Sequence, residues 1–257
     1  VSSATLIDGF CITDGNANGS GMNRGNGGGW LNEGSGEGNE SSPTIVNCVI
    51  TGNRAATGVG GGMFNNGEDL GNSSPVLINC IISGNLAANG GGLFNFGVNS
   101  GNSSPRLTNC IISGNLAEYG GGLYNNGLFG ISNLAFVNCV LSGNNASSDG
   151  GVMYLDNANY TMVNSIIWNN SYPISGIGFS HTTSFSIIPY EALLNDGGGN
   201  KVDTDPLFVF APSFTDAPTA AGDFHVMDGS PAINMGEDPS TSNTYPTDLD
   251  GLNRIVD

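Results

Sequence analysis

Positive charge is almost missing from this chain. Its 257 residues include five Lys or Arg against 22 Asp or Glu, a formal net charge of −17. Five cations cannot neutralise a phosphate track, so nucleic acid is excluded as a partner. An anionic polysaccharide would be repelled by the same field. Charge of either sign is scarce too, at 11% of residues, which sets the chain apart from disordered polyelectrolytes. No apolar run approaches the roughly 18–20 residues of a membrane helix, so no transmembrane segment is expected. No stretch of useful length has a 3.6-residue period, which leaves little room for helix. Glycine is abundant, at 42 residues, but it has no period of three, and a collagen helix is excluded. An initiator Met and a signal peptide are both missing. The chain opens with strand-like Val1 to Ile7 and stops at strand-like Arg254 to Asp257. The expectation is a segment of a longer secreted protein, extracellular or at the cell surface.

What is present is a repeat. The block Asn47-Cys48-Val49-Ile50-Thr51-Gly52-Asn53 returns around Cys80, Cys110 and Cys139, with Ser165 in a weaker copy. Cys11 lies in a similar upstream block, so the cysteine spacings are 37, 32, 30 and 29. A second block runs in phase with it: Gly60-Gly61-Gly62-Met63-Phe64-Asn65, then the copies from Gly90 and Gly120 and a frayed one from Gly150. Ser-Pro pairs precede the cysteines at Pro43, Pro75 and Pro105. Each unit of about 30 residues holds short β-branched or aromatic segments punctuated by Gly, Asn and Ser-Pro. Such a unit cannot bury its own apolar face, but stacked units can. The expected fold is all-β: a right-handed parallel β-helix of about seven coils over residues 1–194. Residues 195–257 are expected to be an irregular continuation or cap of the same domain.

Strand alternation assigns the core. Val46, Cys48 and Ile50 are expected inside, with core columns of Cys11, Cys48, Cys80, Cys110 and Cys139 and of Ile50, Ile82, Ile112, Leu141 and Ile167. An aromatic column Phe64, Phe94, Tyr124 and Tyr154 and an amide ladder Asn53, Asn85, Asn115 and Asn144 follow from the same register. Val49, Ile81, Ile111, Val140 and Ile166 are expected to point outward. A contiguous apolar stripe of that kind marks either a surface covered by the chain's own loops or an interface. The hydroxyls of Thr51, Ser83, Ser113 and Ser142 are expected to face solvent beside it.

The repeated Gly-Gly-Gly-Leu-Tyr-Asn and Asn-Cys-Ile-Ile-Ser-Gly-Asn blocks resemble the right-handed parallel β-helix proteins secreted by bacteria. They are also similar to the repeats of polymorphic outer-membrane proteins. Asp205-Pro206-Leu207-Phe208, the segment Gly229-Ser230-Pro231-Ala232-Ile233-Asn234 and Asp248-Leu249-Asp250-Gly251-Leu252-Asn253 resemble the "choice-of-anchor" β-helix proteins. The resemblance covers nearly the whole chain. It implies a secreted or surface solenoid without implying one activity, because function lives in sites grafted on folds.

Sites were weighed one by one. The cysteines recur at coil spacing and lack a metal knuckle, so they read as buried small hydrophobes. His181 and His225 have no Cys or His at ligand spacing and read as structural or surface residues. A polysaccharide lyase on this fold needs a cation beside acids, yet Arg24, Arg54, Arg106, Lys201 and Arg254 are scattered. Asp149 and Asp156, flanking the last Gly block, are the best carboxylate pair. Asp248 and Asp250 form an Asp-x-Asp-Gly run suited to a hard cation, so a structural calcium is the one cofactor considered. Trp30, Tyr119 and Trp168 could stack on sugar faces. The functional expectation is a non-catalytic structural or adhesive module, an acidic rod able to assemble end to end into a fibre or homo-oligomer. The alternative is a β-helix that binds or degrades polysaccharide, with a surface glycan as partner.

Overall fold

The computed structural model describes residues 2–19, 25–190, 195–237 and 249–250. It is an all-β parallel solenoid whose strands are two to six residues long and fall into four lengthwise sheets. Sheet 1 contains Leu6–Asp8, Thr44–Val46, Val76–Ile78, Arg106–Thr108, Asn133–Val137, Asn159–Val163 and His181–Ser184. Sheet 2 runs from Cys11–Thr13 through Val49–Thr51, Ile81–Ser83, Ile111–Ser113, Val140–Ser142, Ile166–Trp168 and Ile187–Ile188 to Lys201–Val202. Sheet 3 holds Arg54–Val59, Leu86–Asn89, Leu116–Tyr119 and Asn145–Asp149. Sheet 4 holds Trp30–Glu33, Met63–Asn66, Leu93–Phe96, Leu123–Asn126, Met153–Asp156 and Ile174–Ile177. The solenoid has about five turns, where the repeat count suggests seven. Among the described residues, four turns carry a strand in every sheet, and the passes on either side of them are partial.

Two backbone features shape each turn. Asn47, Asn79, Asn109, Asn138 and Asn164 all adopt left-handed φ of 52–54° and bend the chain from sheet 1 into sheet 2. Asn is among the few non-glycine residues that enter this region readily. The bend splits what the sequence presents as one strand. Ile45, Cys48 and Ile50 point inward, while Val46 is only half-buried. At the opposite side, Gly60, Gly90, Gly120 and Gly150 turn the chain from sheet 3 into sheet 4 with φ of 64–68°. The residues after them serve a different need: a Cβ on Gly91 would lie 2.5 Å from the carbonyl oxygen of Gly121 on the next turn.

The core is a stack of like residues. Sheet 1 contributes Ile45, Leu77, Leu107, Phe136 and Met162, and sheet 2 contributes Ile50, Ile82, Ile112, Leu141 and Ile167, all essentially inaccessible. Sheet 3 adds Ala55, Ala87, Ala117 and Ala146, small residues on the third wall. Burying each Ile or Leu stabilises the fold by roughly 1.5–3 kcal/mol relative to exposure.

Four of the five cysteines, Cys48, Cys80, Cys110 and Cys139, are buried in one column, and all five are free thiols. Cys11 does not join them. Register pairs Cys11 with Val49 and Ile12 with Ile50, so Cys11 is exposed and Phe10 occupies the position above Cys48. The upstream block is shifted by one residue, and in a strand a shift of one reverses the face.

The C-terminal part leaves the repeat. Lys201–Val202 adds a last parallel strand to sheet 2. Phe208–Phe210 and Asp223–Val226 then pair antiparallel. The segment between them runs past the ends of the sheet 2 strands: Thr219 N donates to Gly114 O at 2.9 Å, and Asn169 Nδ2 donates to Pro212 O at 2.9 Å. Ser83, Ser113 and Ser142 are therefore buried, not solvent-facing. The row Val49, Ile81, Ile111, Val140 and Ile166 is half-buried along the same sheet.

Candidate functional site

The strand ends of sheets 3 and 4 meet across the Gly turns and bring two columns side by side. On sheet 3, register stacks Asn89, Tyr119 and Asp149. On sheet 4 it stacks Phe64, Phe94, Tyr124, Tyr154 and Ser175. Met63, Leu93, Leu123 and Met153 turn inward on these strands, so the rings project to the outside. Phe64 and Phe94 are covered, and the half-exposed tyrosines continue their column.

Asn89, Tyr119, Tyr124 and Tyr154 line a cleft of about 280 Å³. The ring centroids of Tyr124 and Tyr154 are 5.0 Å apart, tilted by 31°. Tyr119 meets Tyr154 edge to face at 5.3 Å and 71°, which makes a corner of two aromatic walls. Asp149 lies in register beside Tyr119, its Oδ1 accepting from Ser175 Oγ at 2.5 Å and from Gly150 N at 2.9 Å. Asp156 stands at the end of the Tyr154 strand and accepts from Asn157 Nδ2 at 2.8 Å. Burial, and then the Asp156 charge, push the Tyr124 hydroxyl up to about 12. The Tyr154 hydroxyl is raised by the same causes, with Asp149 adding to them. Tyr124 and Tyr154 thus keep their protons at neutral pH, beside Asp149 and Asp156.

A second concavity, about 550 Å³, lies over sheet 1. Its walls include Ser104, Arg106, Asn133, Asn159, Thr161 and Thr182, and Tyr160 and His181 form its floor. Those two rings are buried and stacked, with centroids 4.6 Å apart and planes 4° from parallel. Arg106, on sheet 1, lines this concavity, and Asp149, on sheet 3, does not. Arg54 begins the sheet 3 strand Arg54–Val59, and Lys201 Nζ donates to Pro231 O at 3.0 Å. Arg24 and Arg254 lie outside the described residues.

The remaining expected residues are placed as follows. Asp248 lies outside the described residues. Asp250 Oδ2 lies 2.6 Å from His225 Nε2, and Asp223 Oδ1 lies 2.5 Å from His225 Nδ1. Hydrogen bonds from the ring, to Asp250 first and then to Asp223, raise the His225 pKa to about 9. That makes it a cation at neutral pH, already seated on Asp250. Among the described residues, no group of three or more His, Cys, Asp or Glu is placed to hold a metal ion. Trp30 packs on the core and donates through Nε1 to Asn32 Oδ1 at 2.8 Å, and Trp168 ends the sheet 2 strand Ile166–Trp168.

Sequence reasoning did not find the second internal amide ladder. Asn32, Asn65, Asn95 and Asn125 are fully buried and linked amide to amide at 2.7, 2.7 and 2.5 Å. The signal was available, since an Asn follows the aromatic position in each of the Gly blocks from Gly27 to Gly120. Nor did it pair Tyr119 with the aromatic column, because the two lie on different strands joined by the Gly turn.

No protein-family model, no curated protein and no solved structure matches this chain. Among the described residues, no helix is long and apolar enough to cross a membrane.

Proposed function

We propose that this chain is a structural or adhesive solenoid module that works outside the cell or on its surface, without catalysis. The observation that carries this reading is the pair of buried amide ladders. Each Asn85 or Asn115 side chain bonds the amide above it, the amide below it and a backbone carbonyl. Groups spent in this way stiffen a rod and leave nothing over for chemistry. The C-terminal motifs quoted above make a secreted protein of the "choice-of-anchor" type the favoured kinship, with repeats like those of polymorphic outer-membrane proteins.

A specific form of the proposal is assembly end to end. Leu6–Asp8, Cys11–Thr13 and Trp30–Glu33 are the first strands of sheets 1, 2 and 4, and each is paired on one side only among the described residues. Leu6 and Phe10 are largely exposed there, at 64% and 59%. Open strand edges with apolar neighbours accept further strands. Negative-stain microscopy over a range of protein concentration, with and without calcium, is expected to reveal rods or filaments of one solenoid width. A uniformly monomeric population across that range contradicts the assembling form. Binding to a surface glycan is the second reading, favoured by the polar groove over sheet 1. A panel of neutral glycans tests it by binding that an Arg106→Ala or Asn133→Ala variant abolishes.

A further inference from the structure

We propose that the tyrosine cleft between sheets 3 and 4 is a binding site for a small organic cation, an alkylated or primary ammonium group. Three observations converge on it. The first is shape: Tyr119 meets Tyr154 edge to face at 71°, Tyr124 packs against Tyr154, and Asn89 completes the lining, so a rounded head group in the cleft meets more than one ring. An ammonium group over such faces is attracted by the ring quadrupoles, and the attraction grows as the site excludes water.

The second observation is charge. Asp149 is the register neighbour of Tyr119, and Asp156 follows Tyr154 by two residues on the same face of its strand. Carboxylates thus stand beside the cleft, and no Lys, Arg or His lines it. An anion is excluded there, and a neutral ligand would leave this field unused. The chain's net charge of −17 adds a long-range attraction for cations.

The third is preorganisation. The Asn89–Tyr119–Asp149 and Phe94–Tyr124–Tyr154–Ser175 columns are set by ladder register, not by a loop. Asp149 is held by Ser175 and by the Gly150 amide, so it is fixed before any ligand arrives. A site built on a rigid scaffold pays little ordering entropy on binding. The later repeats supply what the earlier ones lack. At the Asp149 position the turns before it have Asn89 and Tyr119, and at the Tyr124 and Tyr154 positions they have Phe64 and Phe94. Along these two columns the carboxylate and the hydroxyls occur only from the turn of Tyr119 and Tyr124 onward.

This inference is independent of the scaffold reading, and its failure leaves that reading untouched. The test compares choline with its uncharged isostere 3,3-dimethyl-1-butanol, titrated into the whole chain and followed by NMR of the tyrosine rings. Choline is expected to shift Tyr119, Tyr124 and Tyr154 with saturation, and the isostere to bind about tenfold more weakly. Tyr154→Phe is expected to keep choline affinity within about threefold because the ring face remains. Tyr154→Leu is expected to lose about tenfold, and Asp156→Asn several-fold with steeper salt sensitivity in the parent. Circular dichroism and Tm report whether each variant remains folded, and Tyr154→Phe serves as the variant that conserves packing. Equal binding of the isostere, shifts confined to other tyrosines, no saturable shift, or preference for a neutral methyl glycoside at these rings would each overturn the proposal.

Discussion

At the scale of single residues, the fold depends on side chains that replace backbone partners. Asn115 makes four such bonds: Nδ2 donates to Ile82 O and Asn144 Oδ1, and Oδ1 accepts from Asn85 N and Nδ2. Replacing it with Ala strands buried donors and acceptors, each of which costs about 1–3 kcal/mol. Asn115→Ala is expected to lower unfolding stability by about 3–4 kcal/mol in urea titration, whereas a change of less than about 1 kcal/mol would deny the ladder its role. The thiols do a related job. Cys48, Cys80, Cys110 and Cys139 each approach the carbonyl two residues earlier at 3.2–3.3 Å. Ser165 and Ser186 close the same bend with 2.8 and 2.7 Å bonds. Cys110→Ser is therefore expected to cost under about 1.5 kcal/mol, and Cys110→Leu about 1–3 kcal/mol through overpacking. Burial shuts Cys48, Cys80, Cys110 and Cys139 away from solvent and also holds the Cys110 thiol well above its usual pKa, so a thiol reagent on the native chain should label the exposed Cys11 and reach the other four only on unfolding. The Asn53 and Cys48 columns were legible because both recur with an unbroken Gly-Asn or Asn-Cys frame. Cys11 misled because its block begins with Gly9-Phe10 where the others have Asn-Cys, and spacing alone could not reveal a one-residue slip.

Elements are defined here by what fits between turns. Gly61, Gly91 and Gly121 each face a carbonyl oxygen of the next turn at 2.3–2.5 Å from an added Cβ. Gly91→Ala must push two rungs apart, at an expected cost of about 2–3 kcal/mol, read as a lowered Tm with the fold retained. A Gly38→Ala control meets nothing within 4 Å, although its φ of 76° carries its own strain. Sheet 4 inverts the usual alternation by burying Asn65 and Asn95 and turning Phe64 and Phe94 outward. Hydrophobicity alone predicts the reverse, and only the ladder, a property of several copies together, makes the buried amide favourable. The strand Asp223–Val226 is tied to Asp250 through His225, whose ring also meets Asp223 on the same strand. A histidine pKa raised from 6.5 to about 9 stabilises fully below about 6.5, and this contribution is lost as pH rises through 9. Asp223 is lowered by the same bond, so its contribution holds above its ordinary value near 3.8 and is lost as pH falls below it. NMR titration should find His225 near 9 in the parent and lower in Asp223→Asn. An unshifted His225 in the parent would dissolve the tie.

For the molecule as a whole, one premise supports the rest: units of about 30 residues lie one above another in parallel register. The repeat made this legible, since each block returns with its Gly, Asn and apolar positions in phase. It did not disclose how residues after Lys201 fold back past sheet 2, because a segment that occurs once has no partner copy to reveal its place. The register is also what brings the tyrosine cleft together. The most direct test is a spin-label distance across the stack. Thr44 and Thr182 are joined by five consecutive rungs of sheet 1, through Val76, Arg106, Ala135 and Thr161. With labels at these two positions in a Cys11→Ser background, dipolar spectroscopy should find a narrow distribution centred near about 24 Å between backbones, five spacings of about 4.8 Å. A broad distribution, or one centred well beyond about 40 Å as an extended or antiparallel arrangement would require, contradicts the stacked solenoid and everything built on it.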